Sequence, residues 1–222
     1  MISFFQEEYH HGGWPLIPIA LLFLVSMAII AERFIALYIL SLENKDGILR
    51  GLQGHILRGD IPAAIRFVDA QRSGPLSRII KAGLVRVNKD EKEVQAALDE
   101  ASLREVPYLE KRTGYLAVFS NATTLVGLLG TIIGMIKCFA AAAHADPSDK
   151  ATMLAAGIAE AMTCTKWGLG VAILLLIVYA FLQARTQQLI DRINETVVSV
   201  LSLALANKSA LKGSNDEAAK AK

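Results

Sequence analysis

Residues 157–170 read GIAEAMTCTKWGLG, inside an apolar run that continues through VAILLLIVYAFL to Leu182. The run 151–182 exceeds the roughly 20 apolar residues that a bilayer-spanning helix needs. Yet it holds a carboxylate, Glu160. Placing an ionised side chain at that depth costs at least about 2–3 kcal/mol, so such a residue has a partner or a task. On a helical wheel Glu160 shares its side with Cys164, Trp167 and Val171, and Ala161, Thr165, Gly168 and Ala172 form a second stripe about 110° away. Small residues in such a stripe admit another helix at close range. Lys166 projects nearly opposite the small stripe. It lies six positions from Glu160 and about 120° around the helix, so the two do not pair along one helix.

Working outward, the second long apolar run, 113–142, carries a matching pattern. Ser120, Thr124, Gly127, Thr131, Gly134 and Cys138 fall within about 80° of one another, while Leu125, Leu128, Leu129, Ile132 and Ile136 cover the other faces. Gly127, Gly130, Gly134 and Gly168 read as helix-packing positions. The stripe has two compatible readings: a seam for close helix packing, or the wall of a polar path. Thr131, Glu160 and Thr165 are the candidate ion-translocating residues, with Ser120, Thr124, Thr163 and Cys164 as candidate path lining. A carboxylate binds and releases protons, and hydroxyls both donate and accept hydrogen bonds and so order water. Thr165 and Glu160 do not share a face, so neighbouring helices must complete any such path. Lys166 is a charge beside that path without an assigned role.

The remaining chain fits around these two runs. Residues 14–40 form a first span, with Trp14 as an interfacial anchor and Pro15 in the first helical turn. Glu32 and Arg33 near its far end read as an interfacial pair. Residues 41–112 are polar and rich in helix formers, punctuated at Gly51-Leu52-Gln53-Gly54, Gly59-Asp60-Ile61-Pro62 and Ser73-Gly74-Pro75. Asp60 offers an N-cap with an early proline after it, and Asp90 offers another with Glu93 three residues on. Pro107 bends the helix that contains it rather than ending it. Residues 143–150 are a short link, 151–183 the third span and 184–206 an amphipathic helix. Residues 207–222 have the composition of a disordered tail.

The composition agrees with a membrane protein. Of 222 residues, 53% are hydrophobic, with a mean hydropathy of +0.40. Charge is balanced at 23 Lys+Arg against 21 Asp+Glu, which gives no basic signal for nucleic acid. Cys138 and Cys164 both lie in apolar segments and indicate no disulfide framework. The acidic N-terminal tail and the long apolar run after it do not fit a cleaved signal peptide, so the segment is expected to be retained. Lys and Arg number none in residues 1–13, thirteen in 41–112, one in 140–152 and six from 184 onward. The positive-inside rule then gives a periplasmic tail (1–13), a cytoplasmic helical domain (41–112), a periplasmic link and a cytoplasmic C-terminus.

The segments LVGLLGTIIGM (125–135) and GIAEAMTCTKWGLGVAI (157–173) resemble the second- and third-span signatures of the MotA/TolQ/ExbB proton-channel family. The three-span order, large loop after span one, Glu32-Arg33 and the Gly59-Asp60 stretch are similar too. The resemblance implies an all-α membrane protein with three transmembrane helices and long cytoplasmic helical extensions, assembled as a homopentamer in the bacterial inner membrane. Two copies of a single-span partner of the ExbD/TolR type would occupy its lumen. By motif position Thr131, Glu160 and Thr165 would line the path of H⁺, or of Na⁺. The resemblance implies no cofactor and no metal. Two positions depart from the family's pattern: Lys166 stands where a small apolar residue is usual, and Ile173-Leu174 replaces a frequent Ile-Pro.

No phosphate-binding loop, Cys/His metal cluster or nucleophile elbow occurs in the sequence, which speaks against an enzyme. His10, His11, His55 and His144 are scattered. An ion gradient is the expected energy source: one charge crossing 100 mV gains about 2.3 kcal/mol. The competing classes are a structural membrane scaffold and a passive ion channel without mechanical output.

Overall fold

A computed structural model describes residues 16–40, 45–71 and 74–206. The expectations for the N-terminal tail, Trp14, Pro15, His10-His11, Ser73 and the tail 207–222 lie outside these residues. The described chain is helical, with no strand among the described residues. Its helices are α1 (Leu16–Leu40), α2 (Lys45–Leu57), α3 (Ile61–Ala70), α4 (Pro75–Val85), α5 (Glu91–Glu110), α6 (Thr113–Ala143) and α7 (Lys150–Ala206). Three of them, α1, α6 and α7, supply segments long and apolar enough to cross a membrane. The chain divides into two compact units. One holds α1 up to Phe34 together with Arg112–Gln183; the other holds Ile35–Lys111 and α7 from Ala184 onward.

In the membrane unit most large apolar side chains point outward. Leu21, Leu24, Leu125, Leu129, Ile136 and Phe181 are all exposed. That inverts the usual pattern of a water-soluble domain and suits helices whose solvent is lipid. Besides Ile19, Arg33, Leu116 and Leu175, the unit buries many small or weakly polar residues: Ser26, Ser120, Thr123, Cys138, Ala161, Cys164 and Ala172. Ser26 donates its hydroxyl to the Leu22 carbonyl at 2.7 Å, so the buried oxygen of α1 is satisfied within its own helix.

The second unit is a small helical domain with an aliphatic core. Leu52 and Ile56 of α2, Val68 of α3, Ile79, Ile80 and Leu84 of α4 and Leu98 of α5 are fully or almost fully buried. The turn between α2 and α3 shows how the sequence writes it. Gly59 takes a left-handed conformation, φ 71°, which an L side chain resists. Its N–H donates to the Ile56 carbonyl at 3.0 Å and the next N–H, of Asp60, to the His55 carbonyl at 3.2 Å. These are the paired bonds of a Schellman helix end. Asp60 then caps α3: its carboxylate accepts from the Ala63 N–H at 2.9 Å, and Pro62 occupies the first turn, where no N–H is needed. The expected start of this helix at Asp60-Ile61-Pro62 is thus the one the structure has.

Asp90 occupies the N-cap position of α5, but its side chain makes no cap hydrogen bond. Glu93 instead meets Lys89 at 2.8 Å, so the reciprocal capping arrangement does not form. Pro107 lies inside α5 and does not end it. The helix stops three residues later, where the Lys111 N–H reaches back to the Pro107 carbonyl. Arg112 then adopts φ 66°, a left-handed conformation that costs a non-glycine residue about 1–2 kcal/mol.

The last helix, α7, runs without a break for 57 residues. At 1.5 Å per residue that is about 85 Å. Beyond Ala184 its buried positions are Thr186, Leu189, Ile190, Ile193, Thr196, Val200 and Ala204, the stripe of an amphipathic helix. Ala204 packs with Ile61 and Val87, and Ile65 joins them.

Candidate functional site

The site is built on the antiparallel pair α6 and α7. Their contact is written in small residues. A Cβ on Gly168 would lie 2.9 Å from the Gly127 Cα and 3.0 Å from the Thr123 carbonyl oxygen. A Cβ on Gly134 would lie 2.7 Å from that of Ala161. The backbones approach so closely that no larger residue fits at these places. Further along, Gly157 faces Cys138, whose thiol reaches the Leu154 carbonyl at 3.5 Å. The pairs 127/168, 134/161 and 138/157 fix one register along the whole seam.

Two hydroxyls cross this seam. Thr165 Oγ1 donates to the Gly127 carbonyl at 3.1 Å, and Ser120 Oγ donates to the Ala172 carbonyl at 2.8 Å. Inter-helix bonds of this kind are worth about 0.6–2 kcal/mol each in a membrane. Three other hydroxyls stay local. Thr131 donates to Leu128 at 2.6 Å, Thr124 to Ser120 at 3.2 Å and Thr163 to Ala159 at 3.1 Å, all backbone carbonyls on their own helices. A hydroxyl whose proton is committed still has lone pairs to accept from a water. Thr131 and Thr165 are half-buried, so their oxygens border the outer edge of the seam.

The register sets Thr131 level with Cys164, four residues of α7 from Glu160, or about 6 Å along the axis. Glu160 follows Lys150, the first residue of α7, by ten positions. That is about 15 Å of helix. Ala161, beside it, is buried against Gly134, whereas Glu160 itself is exposed. Among the described residues its carboxylate meets no hydrogen-bond donor and no cation. Lys166, also exposed, does not pair with it; its ammonium lies 5.6 Å from the centre of the Trp167 ring.

The candidate residues therefore differ in where they lie. Ser120, Cys164, Gly127, Gly130 and Gly168 are buried and Gly134 half-buried, on α6 and α7. Thr131 and Thr165 border the seam, and Glu160 stands outside it. Thr163 and Thr124, both half-buried, bond only within their helices.

Sequence reasoning missed two features of the same unit. Thr123 is fully buried and its carbonyl faces Gly168; its place on the wheel beside Ser120 and Gly127 is the signal for it. The second is Arg112. Glu32 and Arg33, the expected interfacial pair, touch at 3.4 Å. The stronger partner of Glu32 is the guanidinium of Arg112, at 2.5 Å. Both charges lie at the same membrane face once three spans are counted, which is the signal that was available.

Three membrane-capable helices and a tight small-residue seam define a multi-pass membrane protein. Comparison with known proteins makes this specific. A profile of the MotA/TolQ/ExbB proton channel family matches residues 71–195, and the chain belongs to that family. It is 27% identical over 197 residues to a protein named as a biopolymer transport ExbB homologue of Methanothermobacter thermautotrophicus, covering 87% of this chain and 69% of that one. An ExbB-like protein of Synechocystis sp. is 28% identical over 163 residues, 73% of this chain and 77% of its own. The Tol-Pal system protein TolQ of Pseudomonas aeruginosa is 37% identical over 99 residues, 45% of this chain and 42% of its own.

Proposed function

We propose that this protein is the ion-conducting subunit of an inner-membrane motor driven by the proton-motive force. It works as a homopentamer around two copies of a single-span partner of the ExbD/TolR type, and transmits energy to the periplasm or outer membrane. The N-terminus is periplasmic and the C-terminus cytoplasmic. The observation that carries this reading is Glu160: a carboxylate about 15 Å into a membrane-capable helix, exposed beside the α6–α7 seam and without a hydrogen bond or ion pair among the described residues. A structural carboxylate at that depth needs a partner inside its own fold. One that faces outward is available to a path completed by other chains.

In this reading Thr131 and Thr165 flank the route. Each donates its proton to a carbonyl and so offers lone pairs to passing water or hydronium. Glu160 takes a proton from one side and releases it to the other as its surroundings change. Lys166 adds a fixed positive charge on the same helix, which disfavours a bare metal cation more than a proton bound covalently to oxygen.

The test is Glu160→Gln, which keeps shape and removes the titrating proton. Reconstituted with its partner, the variant assembles as the wild type does and passes no protons. Full proton flux in an assembled Glu160→Gln complex removes the channel reading and leaves a structural scaffold. A single-span protein co-purifying with the chain supports a motor over a passive channel.

A further inference from the structure

Lys137 is a second charge in the apolar body of the membrane unit, and the packing of the seam does not account for it. It lies on α6 six positions before Ala143, the last residue of that helix, or about 9 Å of axis. Its side chain is exposed, with Ile136 and Phe139 exposed around it. Among the described residues it has no hydrogen bond and no ion pair. An ammonium on such a surface either reaches water or has a counter-charge.

The seam places Glu160 beside it. The pairs 134/161 and 138/157 put Lys137 level with Ile158, two residues of α7 from Glu160, or about 3 Å along the axis. Around each helix the offset is the same. Lys137 stands about 80° back from the line through Gly134 and Cys138, and Glu160 about 80° back from the line through Gly157 and Ala161. Seen from one end, two antiparallel helices wind in opposite senses, so equal offsets bring both side chains to one edge of the seam. Each Cα–Cβ bond tilts toward the N-terminus of its own helix. Lys137 therefore leans toward the level of Glu160, and Glu160 toward that of Lys137. With axes no more than about 8–10 Å apart, the two side chains together span the gap. Among the described residues no other ionisable group is so placed. Lys166 lies about 120° around α7 from Glu160, with its ammonium over Trp167. Cys164, one turn on, is buried. Residues 16–31 of α1 carry no ionisable side chain. His144, Asp146, Asp149 and Lys150 lie at the α6–α7 link and the start of α7, at least about 10 Å further along the axis from Lys137.

We propose that Lys137 is the switching counter-ion of Glu160, and the residue that makes the path one for protons rather than metal cations. The proposal rests on the ion-path reading of Glu160 above. The charged carboxylate closes onto the ammonium. A proton binds a carboxylate oxygen covalently, neutralises it and lets the ammonium go. Loss of that proton to the next acceptor recloses the pair. The described chain holds the open arrangement. A sodium ion, by contrast, would have to displace a group of its own charge that donates up to three hydrogen bonds. It would then remain in the field of that displaced group, in surroundings that screen charge poorly.

Two measurements test it, both on the full chain in its assembled complex. In the wild type, dicyclohexylcarbodiimide, an apolar reagent, activates the Glu160 carboxyl. The Lys137 amine, after losing a proton, displaces the reagent as its urea and forms an amide bond within the chain. Peptide mass spectrometry finds residues 137 and 160 joined, and Glu160→Gln gives no such product. In vesicles under an imposed potential, Lys137→Met raises the ratio of sodium flux to proton flux at least tenfold. Lys137→Arg, which keeps the charge, holds the wild-type ratio. Lys137→Gln replaces Lys137→Met if that variant fails to assemble. The flux ratio decides if the reagent leaves Glu160 unmodified. A reagent adduct on Glu160 without the link to Lys137, or an unchanged ratio in the neutral variant, overturns the proposal while keeping the ion path; Lys137 then only reaches water at the membrane surface. Full proton flux through Glu160→Gln overturns the ion path and this proposal together.

Discussion

Thr165 shows how closely packing and chemistry overlap in this membrane unit. Its hydroxyl donates to the Gly127 carbonyl across the seam, and its side chain is only half-buried there. Thr165→Val keeps the shape and deletes the hydroxyl. The expected loss of stability is about 0.6–1 kcal/mol, the worth of one inter-helix bond in a membrane. Ion flux should fall by far more than that loss explains, and Thr165→Ser should recover most of it. Thermal unfolding in detergent, set beside proton flux in vesicles, separates the two effects. A flux that merely tracks stability would reduce Thr165 to a packing residue. The Glu32–Arg112 contact belongs to this scale too. It joins residues 80 positions apart and pins an arginine held in a left-handed conformation. No local pattern announces it, because Arg112 is neither a glycine nor an asparagine, the usual occupants of that region.

At the scale of elements, the α6–α7 seam and the α2–α3 turn make opposite demands on glycine. In the seam the chain needs absence of volume. Gly168→Leu forces a side chain against the Gly127 and Thr123 backbone, which cannot move aside as a flexible side chain would. We expect a destabilisation at the upper end of the about 1–3 kcal/mol typical of overpacking, or more. It would be read as a lowered melting temperature and as faster exchange of the α6 amides. At the turn the chain needs conformational freedom and a cap. Asp60→Ala removes the bond to Ala63 and should cost about 1 kcal/mol, within the range for lost N-caps; an unchanged melting temperature would contradict the cap. Much of this was legible. Gly59-Asp60-Ile61-Pro62 spelled the turn, and the spacing of Gly127, Gly134 and Cys138 against Gly157, Ala161 and Gly168 spelled the seam. The wheel shows which residues share a face but not what that face meets. It therefore left packing seam and polar path open for Ser120 and Cys164, and the structure buries both in the seam. The reciprocal cap at Asp90 failed because Lys89 competes for Glu93. The unbroken length of α7 was written only by omission: no glycine or proline follows Gly170 before Ala206.

At the scale of the whole molecule, the sequence separates jobs along the chain. Small residues hold α6 to α7, lipid-facing leucines and isoleucines surround them, and an aliphatic helical domain follows its own soluble logic. Glu160 belongs to none of these. Its exposure in the single chain is the reason to read the protein as one part of a larger assembly, since a carboxylate at that depth is tolerated only where other groups or water reach it. The measurement that tests this most directly is proton flux through vesicles holding the assembled complex under an imposed membrane potential, comparing the wild type with Glu160→Gln. The account predicts equal assembly and equal melting temperature, with flux in the variant at the level of empty vesicles. Wild-type flux through an equally assembled Glu160→Gln complex would contradict it.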